Sequence, residues 1–446
     1  MATTSGINWT NASVTALAEG ADPVDTVQDK VRNLVLSAKE QGWSGPPFNP
    51  IFIAEMMNVR IEANSSISDA RLFQTERGPV IEFNPKQPRE RVRFSIAHEL
   101  AHLLFPDWGE QVRNRGGDER SKDDWQLEML CNLAASELVL PIGSLSDFSS
   151  IPPIEELMMA RREYDVSVEA FLIRMAKIST QPIGVFVASP RRSESAHRQY
   201  FIDYYVGSPT APRTALSGAK IPNDSVVNGC TAIGYTDSGL ESWMTGSLAR
   251  VECVGIPGFP GAMYPRVAGL VRFDQAEPDT RIIRYVHGNI LEPKNGGHRI
   301  ICQMVNDRAI KWGGGVARKV ASKFPEAAAH YSKEILRVPQ SQRLGAVVFS
   351  QANSDLEVAS IVAQKGFGPS LFPRIRYAAL ERGLEQVAQR AIELNASVHM
   401  PRIGTGAAGG EWETVQEMID EVMVRAGLAV TVYDPPPKRV QLELFD

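Results

Sequence analysis

The chain has 446 residues, of which 43% are hydrophobic and 22% charged, and these proportions are typical of globular proteins with packed cores. The length predicts about two to four domains, while the net charge of -5 excludes a chain-wide attraction to nucleic acid or anionic membranes but leaves a local basic patch open. No stretch approaches the roughly 18 apolar residues of a membrane span, and the four cysteines show no CxxC spacing or disulfide pattern, so we expect a cytoplasmic protein with reduced thiols and no membrane partner.

The first predicted elements are short. Residues 1–20 are polar, and we expect them to be flexible. Apolar residues then recur at helical spacing over residues 24–42, and a second short helix is predicted over residues 50–57. Three brief β-type runs follow, and they predict a small antiparallel sheet at residues 59–63, 70–74 and 79–83.

The next segment, Phe94–Phe105, is an apolar helical run that contains His98-Glu99-x-x-His102. Two histidines four residues apart lie on one face of a helix and can bind one zinc ion. Glu99 points about 100° away from His98 around the helix axis, where it can take a proton from a metal-bound water. The other interpretation is a buried helix whose histidines only donate hydrogen bonds to the backbone. The apolar helical setting favours zinc.

Zinc in a catalytic site needs a third protein ligand. The acidic candidates after His102 are Asp107, Glu110, Asp118, Glu119, Asp123, Asp124, Glu128 and Glu137. A helix is predicted over residues 125–141, and its Glu128 shares a face with Asn132, whereas Glu137 falls on the other side. We therefore expect Glu128 to be the ligand, the alternative being an ordinary surface glutamate.

Two stretches together resemble the ImmA/IrrE family of bacterial zinc metallopeptidases. The first runs from Arg93 to His102, and the second has the pattern Glu128-x-x-x-Asn132-x-Ala-Ala-x-Glu-Leu-x-Leu-Pro141. The resemblance covers residues 21–180 and implies an α+β zincin-like domain. It implies that His98, His102 and Glu128 are the zinc ligands and that Glu99 is the general base. It also implies a protein substrate of the repressor type, cleaved in the control of mobile elements or after DNA damage.

Two further helices, residues 154–164 and 168–178, are joined by a short capped turn and look like a helix-turn-helix pair. Their basic residues could contact phosphate: Arg161, Arg162, Arg174 and Lys177. Because the pair is short and only mildly basic, we prefer packing against the peptidase core, and direct nucleic-acid binding stays open. Residues 181–275 then predict a β-rich module in which we find no catalytic constellation.

The last part of the chain alternates β-type runs with helical segments, which predicts a three-layer α/β domain with a ligand at the strand ends. Two glycine-rich loops stand at such ends, at residues 312–317 and 401–410. Glycines leave backbone N–H groups accessible to an anion, and the following helix N-termini add positive potential. Together the loops predict a diphosphate site.

These residues resemble a macro domain, the ADP-ribose-binding fold, over residues 280–434. The resemblance implies that Asn289, where the family usually has Asp, and Ile290 lie by the adenine together with Tyr433. It places Asn306 and the first loop by the distal ribose, and the second loop around the diphosphate. The implied loop residues are Gly313, Gly314, Gly315, Val316, Ile403, Gly404, Thr405, Gly406 and Ala407.

Whether such a domain cleaves or only reads ADP-ribose stays open. One glycohydrolase branch uses a Lys in a helix-end segment and an Asp in the second glycine loop. Gln364 and Ala408 match those positions here, and neither side chain can perform that chemistry. A route through a water held near Asn306 is the alternative.

The tail, residues 435–446, is expected to be a flexible exit containing three prolines. Its Gln441-Leu442-Glu443-Leu444-Phe445 resembles the pentapeptide that binds the bacterial DNA sliding clamp, which implies clamp contacts from Gln441, Leu442, Leu444 and Phe445. Chance, or packing back on the protein itself, is an equal interpretation.

Two functions follow. In the first, the chain is a zinc endopeptidase whose macro domain couples proteolysis to free ADP-ribose or an ADP-ribosylated macromolecule. In the second, the peptidase domain is a scaffold and the protein is an ADP-ribosyl hydrolase or an ADP-ribose reader.

Overall fold

The computed structural model describes residues 8–109, 123–145, 151–192, 198–212, 216–244, 246, 248–258, 264–273, 283–293 and 297–434. The chain divides into two compact units, the first comprising Met1–Ala38 and Trp43–Asp279 and the second Lys39–Gly42 and Thr280–Asp446. Its helices in chain order are α1 (Ala12–Ala18), α2 (Pro23–Glu40), α3 (Pro50–Met56), α4 (Arg89–His102), α5 (Asp124–Val139), α6 (Ile154–Tyr164), α7 (Val168–Ile178), α8 (Gly315–Lys323), α9 (Pro325–Arg337), α10 (Tyr377–Leu394) and α11 (Trp412–Ile419).

The first unit begins with helices and a small sheet. Its strands are β1 (Arg60–Ala63), β2 (Ala70–Thr75) and β3 (Gly78–Phe83), in the order β1-β3-β2. The sheet is mixed, because β1 pairs with β3 in parallel and β2 pairs with β3 antiparallel. The prediction of an antiparallel sheet is therefore wrong for β1. This order leaves β2 at an edge, where it contacts α4.

Helices α4 and α5 pack against each other along their apolar faces. Ile96, Ala97 and Leu100 of α4 are fully or almost fully buried, as are Leu130 and Ala134 of α5. Burial of an aliphatic side chain stabilises a fold by about 1.5–3 kcal/mol. This packing fixes the distance between the two helices that bear the predicted metal ligands.

The first unit also contains a five-stranded antiparallel sheet in the order β5-β4-β8-β7-β6. Its strands are β4 (Ile183–Arg192), β5 (Arg198–Gly207), β6 (Thr236–Glu241), β7 (Ala249–Ile256) and β8 (Arg266–Arg272). Alternate side chains of this sheet, such as Phe186, Val251 and Val271, are buried in one core. The predicted β-rich character of this region is confirmed, and β6 is an additional strand that the sequence did not reveal.

Helix α6 joins this sheet to α4. At its N-terminus the Ile154 N–H donates to Glu252 of β7 (2.9 Å), and Arg272 of β8 donates to the Ile151 carbonyl (2.8 Å). At its C-terminus Arg93 of α4 donates to the Tyr164 carbonyl (2.8 Å). Both ends of α6 are therefore held by charged side chains.

The predicted helix-turn-helix pair corresponds to α6 and α7. Two of its basic side chains are engaged within the protein: Arg161 donates to the Val166 carbonyl, and Arg174 pairs with Glu137 of α5 at 3.4 Å. Arg162 is exposed. The pair thus contacts a helix of the predicted peptidase core, and it also packs on the five-stranded sheet, α6 against β7 and α7 against β4, β5 and β8.

The second unit is built on a six-stranded sheet in the order β11-β12-β10-β13-β14-β9. Its strands are β9 (Arg284–His287), β10 (Arg299–Asn306), β11 (Val347–Asn353), β12 (Leu356–Gln364), β13 (Ser397–Pro401) and β14 (Val430–Asp434). All neighbours are parallel except the β11–β12 hairpin. The predicted mixed α/β architecture is confirmed.

Three local predictions need correction. Residues 12–18, expected to be flexible, form α1, because the Asn11 side chain accepts hydrogen bonds from Ser13 and Val14 N–H and so caps the helix. The segment Ile361–Gln364, described above as a helix end, is the end of strand β12. Helix α9, which begins at Pro325, was not predicted. Among the described residues, no helix is long and apolar enough to cross a lipid bilayer.

Candidate functional site

Three predicted metal ligands converge between α4 and α5. His98 Nε2 lies 3.0 Å from Glu128 Oε2 and 3.2 Å from His102 Nε2, and His102 Nε2 lies 3.7 Å from Glu128 Oε1. Ligand atoms bound tetrahedrally at about 2.0–2.1 Å from zinc are separated by about 3.3 Å. The three side chains therefore fit a single small cation, and they form the one cluster of three His, Cys, Asp or Glu side chains with this geometry in the described part of the chain.

The electrostatics of the cluster also favour a cation. Burial by itself lowers the pKa of His98, but the carboxylates of Glu128 and Glu99 outweigh burial and raise it. The same negative potential that stabilises a proton on the imidazole attracts a metal ion. A loaded site would replace the proton by that ion.

The other ring nitrogens of the two histidines contact α5. His98 Nδ1 lies 3.0 Å from Asn132 Oδ1, and His102 Nδ1 lies 3.3 Å from Cys131 Sγ. Glu128, Cys131 and Asn132 are spaced i, i+3 and i+4, so they share one face of the helix. Asn132 was predicted to lie on the face of Glu128, and the same spacing places Cys131 there. Neither contact with a histidine was predicted, because each depends on how α5 is rotated against α4.

Glu99 lies beside the cluster, on the side of the small sheet. It is 7% exposed, and its Oε2 accepts a hydrogen bond from the Leu72 N–H of β2 at 2.9 Å. That N–H therefore points to the free edge of β2 and not to β3. The contact fixes the orientation of the carboxylate that was predicted to act as the base.

The other acidic candidates have different roles. Glu137 accepts a hydrogen bond from the Ile142 N–H (3.0 Å) at the end of α5, Asp107 accepts one from Ser13 Oγ (2.5 Å), and Asp123 accepts one from Thr10 Oγ1 (2.9 Å). Glu110, Asp118 and Glu119 lie outside the described residues. Of the described candidates, Glu128 is the one that joins the two histidines.

In the second unit, the two glycine loops lie at the same edge of the sheet. Strand β10 ends at Asn306 and β13 ends at Pro401, and these strands are parallel neighbours, so their carboxyl ends point the same way. The first loop, which includes Gly313 to Val316, opens α8, and the second opens α11. This is the arrangement expected for an anion site at the strand ends.

The glycines of these loops differ in whether a side chain could be accommodated in their place. Gly404 has a φ of +83°, and a Cβ there would lie 2.6 Å from Ile375, so the turn requires glycine. Gly406 is exposed, and a Cβ there would meet no atom within 4 Å. The same holds for Gly314. Both exposed glycines therefore border open space, where a ligand can approach the backbone.

Of the predicted adenine contacts, Tyr433 and Ile290 are buried, whereas Asn289 is exposed. Tyr433 is 8% exposed, and its hydroxyl lies 3.3 Å from His399 Nδ1, so little of its ring can contact a base. Asn289 Oδ1 accepts a hydrogen bond from the Leu291 N–H (3.1 Å), which already uses one of its lone pairs. Ile290 is buried in the adjoining core. At the ribose end, Asn306 Oδ1 accepts a bond from the Arg308 N–H (3.1 Å).

Two known protein families match separate segments of the chain. Residues 54–176 match the IrrE N-terminal-like domain, and residues 305–419 match the Macro domain. The chain therefore contains an IrrE-like metallopeptidase domain and a macro domain.

Individual relatives match parts of the chain. The radiation response metalloprotease IrrE of Deinococcus deserti is 31% identical over 26% of this chain and 42% of its own length. Chromodomain-helicase-DNA-binding protein 1-like of Danio rerio is 27% identical over 38% of this chain and 17% of its own length. A macrodomain protein from Streptomyces coelicolor of known structure is 38% identical, with 34% of this chain and 99% of that one covered and a TM-score of 0.31. The chain thus spans less than a fifth of the first curated relatives it matches.

The site residues divide between the two domains. His98, Glu99, His102 and Glu128 lie within the residues that match the IrrE-like domain, and the first glycine loop and Ile403 to Ala407 lie within those that match the macro domain. Asn289 and Tyr433 lie outside the matched macro range. The clamp-binding residues Gln441, Leu442, Leu444 and Phe445 lie outside the described residues.

Proposed function

We propose that this chain is a zinc-dependent endopeptidase that cleaves a regulatory protein such as a transcriptional repressor, and that its macro domain recognises or removes ADP-ribose in a stress, DNA-damage or mobile-element response. The observation that supports the peptidase most directly is the convergence of His98, His102 and Glu128 beside the oriented carboxylate of Glu99. The macro domain match supports ADP-ribose as the second ligand.

Zinc is the metal that this donor set favours. Two imidazole nitrogens and one carboxylate oxygen are the ligands of many catalytic zinc sites, which keep a fourth position for water. When bound, the ion supplies Lewis-acid chemistry: it lowers the pKa of a coordinated water and polarises the peptide carbonyl. His98, His102 and Glu128 would hold it, and the separations of their ligand atoms fit its radius.

Glu99 is the proposed proton carrier. With Oε2 anchored on the Leu72 N–H, its carboxylate can accept a proton from the attacking water and deliver it to the leaving amine. The edge strand β2 carries that anchor, and an edge strand can pair with an extended peptide. We therefore propose that the substrate lies along β2, which would place its scissile bond between Glu99 and the histidines.

The test of the peptidase is Glu99→Gln. The amide keeps the shape and the hydrogen bond from Leu72 but cannot accept the proton, so cleavage of candidate repressor proteins should fall by about 100- to 10,000-fold. Zinc content, measured by elemental analysis, should stay at the level of the parent. Glu90→Gln, in the first turn of the same helix, is the matched control and should retain activity.

Undiminished cleavage by the Glu99→Gln protein would contradict the catalytic assignment. The protein would then fit the alternative function, in which the peptidase domain is a scaffold and the macro domain acts as an ADP-ribosyl hydrolase or reader.

For the macro domain, we propose that the two glycine loops bind the diphosphate and that Asn306 contacts the distal ribose. A covalent lysine route is not proposed, because Gln364 ends strand β12 where that branch has its nucleophile and Ala408 replaces its acid. Hydrolysis would therefore depend on a water held near Asn306.

The clamp-binding tail and the cytoplasmic location remain predictions from the sequence. The burial of all four cysteine thiols supports the cytoplasmic location.

A further inference from the structure

The outer nitrogens of the two imidazoles contact different kinds of partner. The partner of His98 Nδ1 is a carboxamide oxygen, Asn132 Oδ1, at 3.0 Å. The partner of His102 Nδ1 is a thiol sulfur, Cys131 Sγ, at 3.3 Å, and this sulfur can accept or donate a hydrogen bond according to the tautomer of His102. Cys131 and His102 are 0% and 1% exposed, so water does not compete for this contact.

A neutral imidazole carries one N–H, and the nitrogen that carries it cannot bind a metal. His102 therefore binds a cation through Nε2 only if its proton is on Nδ1. An acceptor that faces Nδ1 favours this tautomer, and it also fixes the rotation of the ring. Asn132 gives His98 such an acceptor, so His102 needs an equivalent.

We propose that Cys131 is a positioning residue for the metal site: its sulfur accepts the Nδ1–H of His102 and so keeps Nε2 unprotonated and directed at Glu128. The inference rests on the proposed zinc site. In this arrangement one face of α5 supplies three side chains of the site. Glu128 is a metal ligand, and Asn132 and Cys131 contact the outer ring nitrogens of the two histidines.

The geometry explains why a small residue with a weakly polar side chain is suitable here. Cys131 lies on the face of α5 that packs against α4, next to Leu130 and Ala134, which are both fully buried. A carboxylate at this position would be a buried negative charge close to the half-exposed carboxylate of Glu128, at a high desolvation cost. A thiol can be buried at little cost and still accept a hydrogen bond.

The test compares Cys131→Ala with Cys131→Ser in the full chain. Alanine removes the acceptor, whereas serine keeps one, so the two variants differ by a single hydroxyl. Zinc affinity, measured by competition with a chromophoric chelator, should fall about 10- to 100-fold for alanine and should be largely restored by serine. Cys253→Ala, an equally buried thiol of the same unit, is the control and should bind zinc like the parent.

A second measurement distinguishes positioning from packing. Long-range ¹H–¹⁵N spectra of the metal-free protein report which ring nitrogen of His102 carries the proton. We expect the Nδ1–H tautomer in the parent and the serine variant, and a mixture in the alanine variant. Parent-like zinc affinity of the alanine variant, or equal loss in both variants with an unchanged tautomer, would overturn the proposal. Cleavage assays of Glu99→Gln test the proposed function separately, since they do not depend on this affinity difference.

Discussion

Single residues decide what each site of this protein can hold. In the peptidase domain, ligand atoms of His98, His102 and Glu128 approach within 3.0 to 3.7 Å of one another. These distances suit a small cation. In the macro domain, the exposed backbone at Gly406 and Gly314 suits an anion.

Gly406 offers the sharpest test of the anion site. Because a Cβ at this position would meet open space, Gly406→Glu should fold normally while it places a carboxylate where the diphosphate is proposed to bind. Calorimetric titration should show that ADP-ribose affinity falls by at least about 100-fold, since like charges at close range cost several kcal/mol.

Gly406→Ala is the matched control. Its methyl group has room and carries no charge, so we expect an affinity within a few-fold of the parent. If the glutamate variant binds ADP-ribose as tightly as the alanine variant, the diphosphate does not lie at this loop.

The sequence was informative about residues wherever the chemistry is encoded locally. The HExxH spacing places both histidines on one helix face, and helical geometry alone separated Glu128 from Glu137. The contact of Cys131 with His102 was not predictable, because it depends on the rotation of α5 against α4. The same is true of Tyr433, whose small exposed area follows from packing around β14.

Among the elements, α6 stands out because both of its ends are fixed by charged side chains. Glu252 accepts the first N–H of the helix, and Arg272 pairs with Glu252 at 2.8 Å. At the other end Arg93, five residues before His98 on α4, donates to the carbonyls of Tyr164 and Asp165. The five-stranded sheet is thus connected to α4 through α6.

This connection predicts that Glu252→Ala destabilises the peptidase region. The change leaves the charge of Arg272 largely buried without its partner and the helix N-terminus without its acceptor, so unfolding in urea should require about 3–5 kcal/mol less. Zinc release should occur at a lower urea concentration, because α4 loses a support. Glu62→Ala removes an exposed partner of Arg60 and should cost at most about 1 kcal/mol; an equal effect of the two substitutions would contradict a structural role for α6.

Element types were predictable where a period is long and regular, as in α2 and α10. Pairing was not. Strand β1 pairs in parallel with β3, which no local pattern in either strand indicates. Strand β12 is almost entirely buried on both faces, so its sequence shows no alternation of apolar and polar residues. Periodicity cannot assign such a segment to strand or helix without its neighbours.

The whole molecule combines two compact units with different charge. Residues 1–279 contain 26 lysines and arginines against 35 aspartates and glutamates, whereas residues 280–446 contain 21 against 17. Residues 280–446 are therefore positively charged although the whole chain is negative. This positive charge favours the encounter with a dianionic ligand such as ADP-ribose. The two proposed ligands, a cation and an anion, thus belong to separate units.

Because each unit has its own core, we expect two transitions in differential scanning calorimetry of the full chain. A ligand that binds only the native form stabilises it by RT ln(1 + [L]/Kd), which is about 2.7 kcal/mol at 100 times Kd. Chelation of zinc should therefore lower one transition, and ADP-ribose should raise the other. With Gly406→Glu, ADP-ribose should shift neither, while chelation should act as before. A single transition that both treatments shift equally would show that the units unfold together, which would contradict two independently stable units that each bind their own ligand.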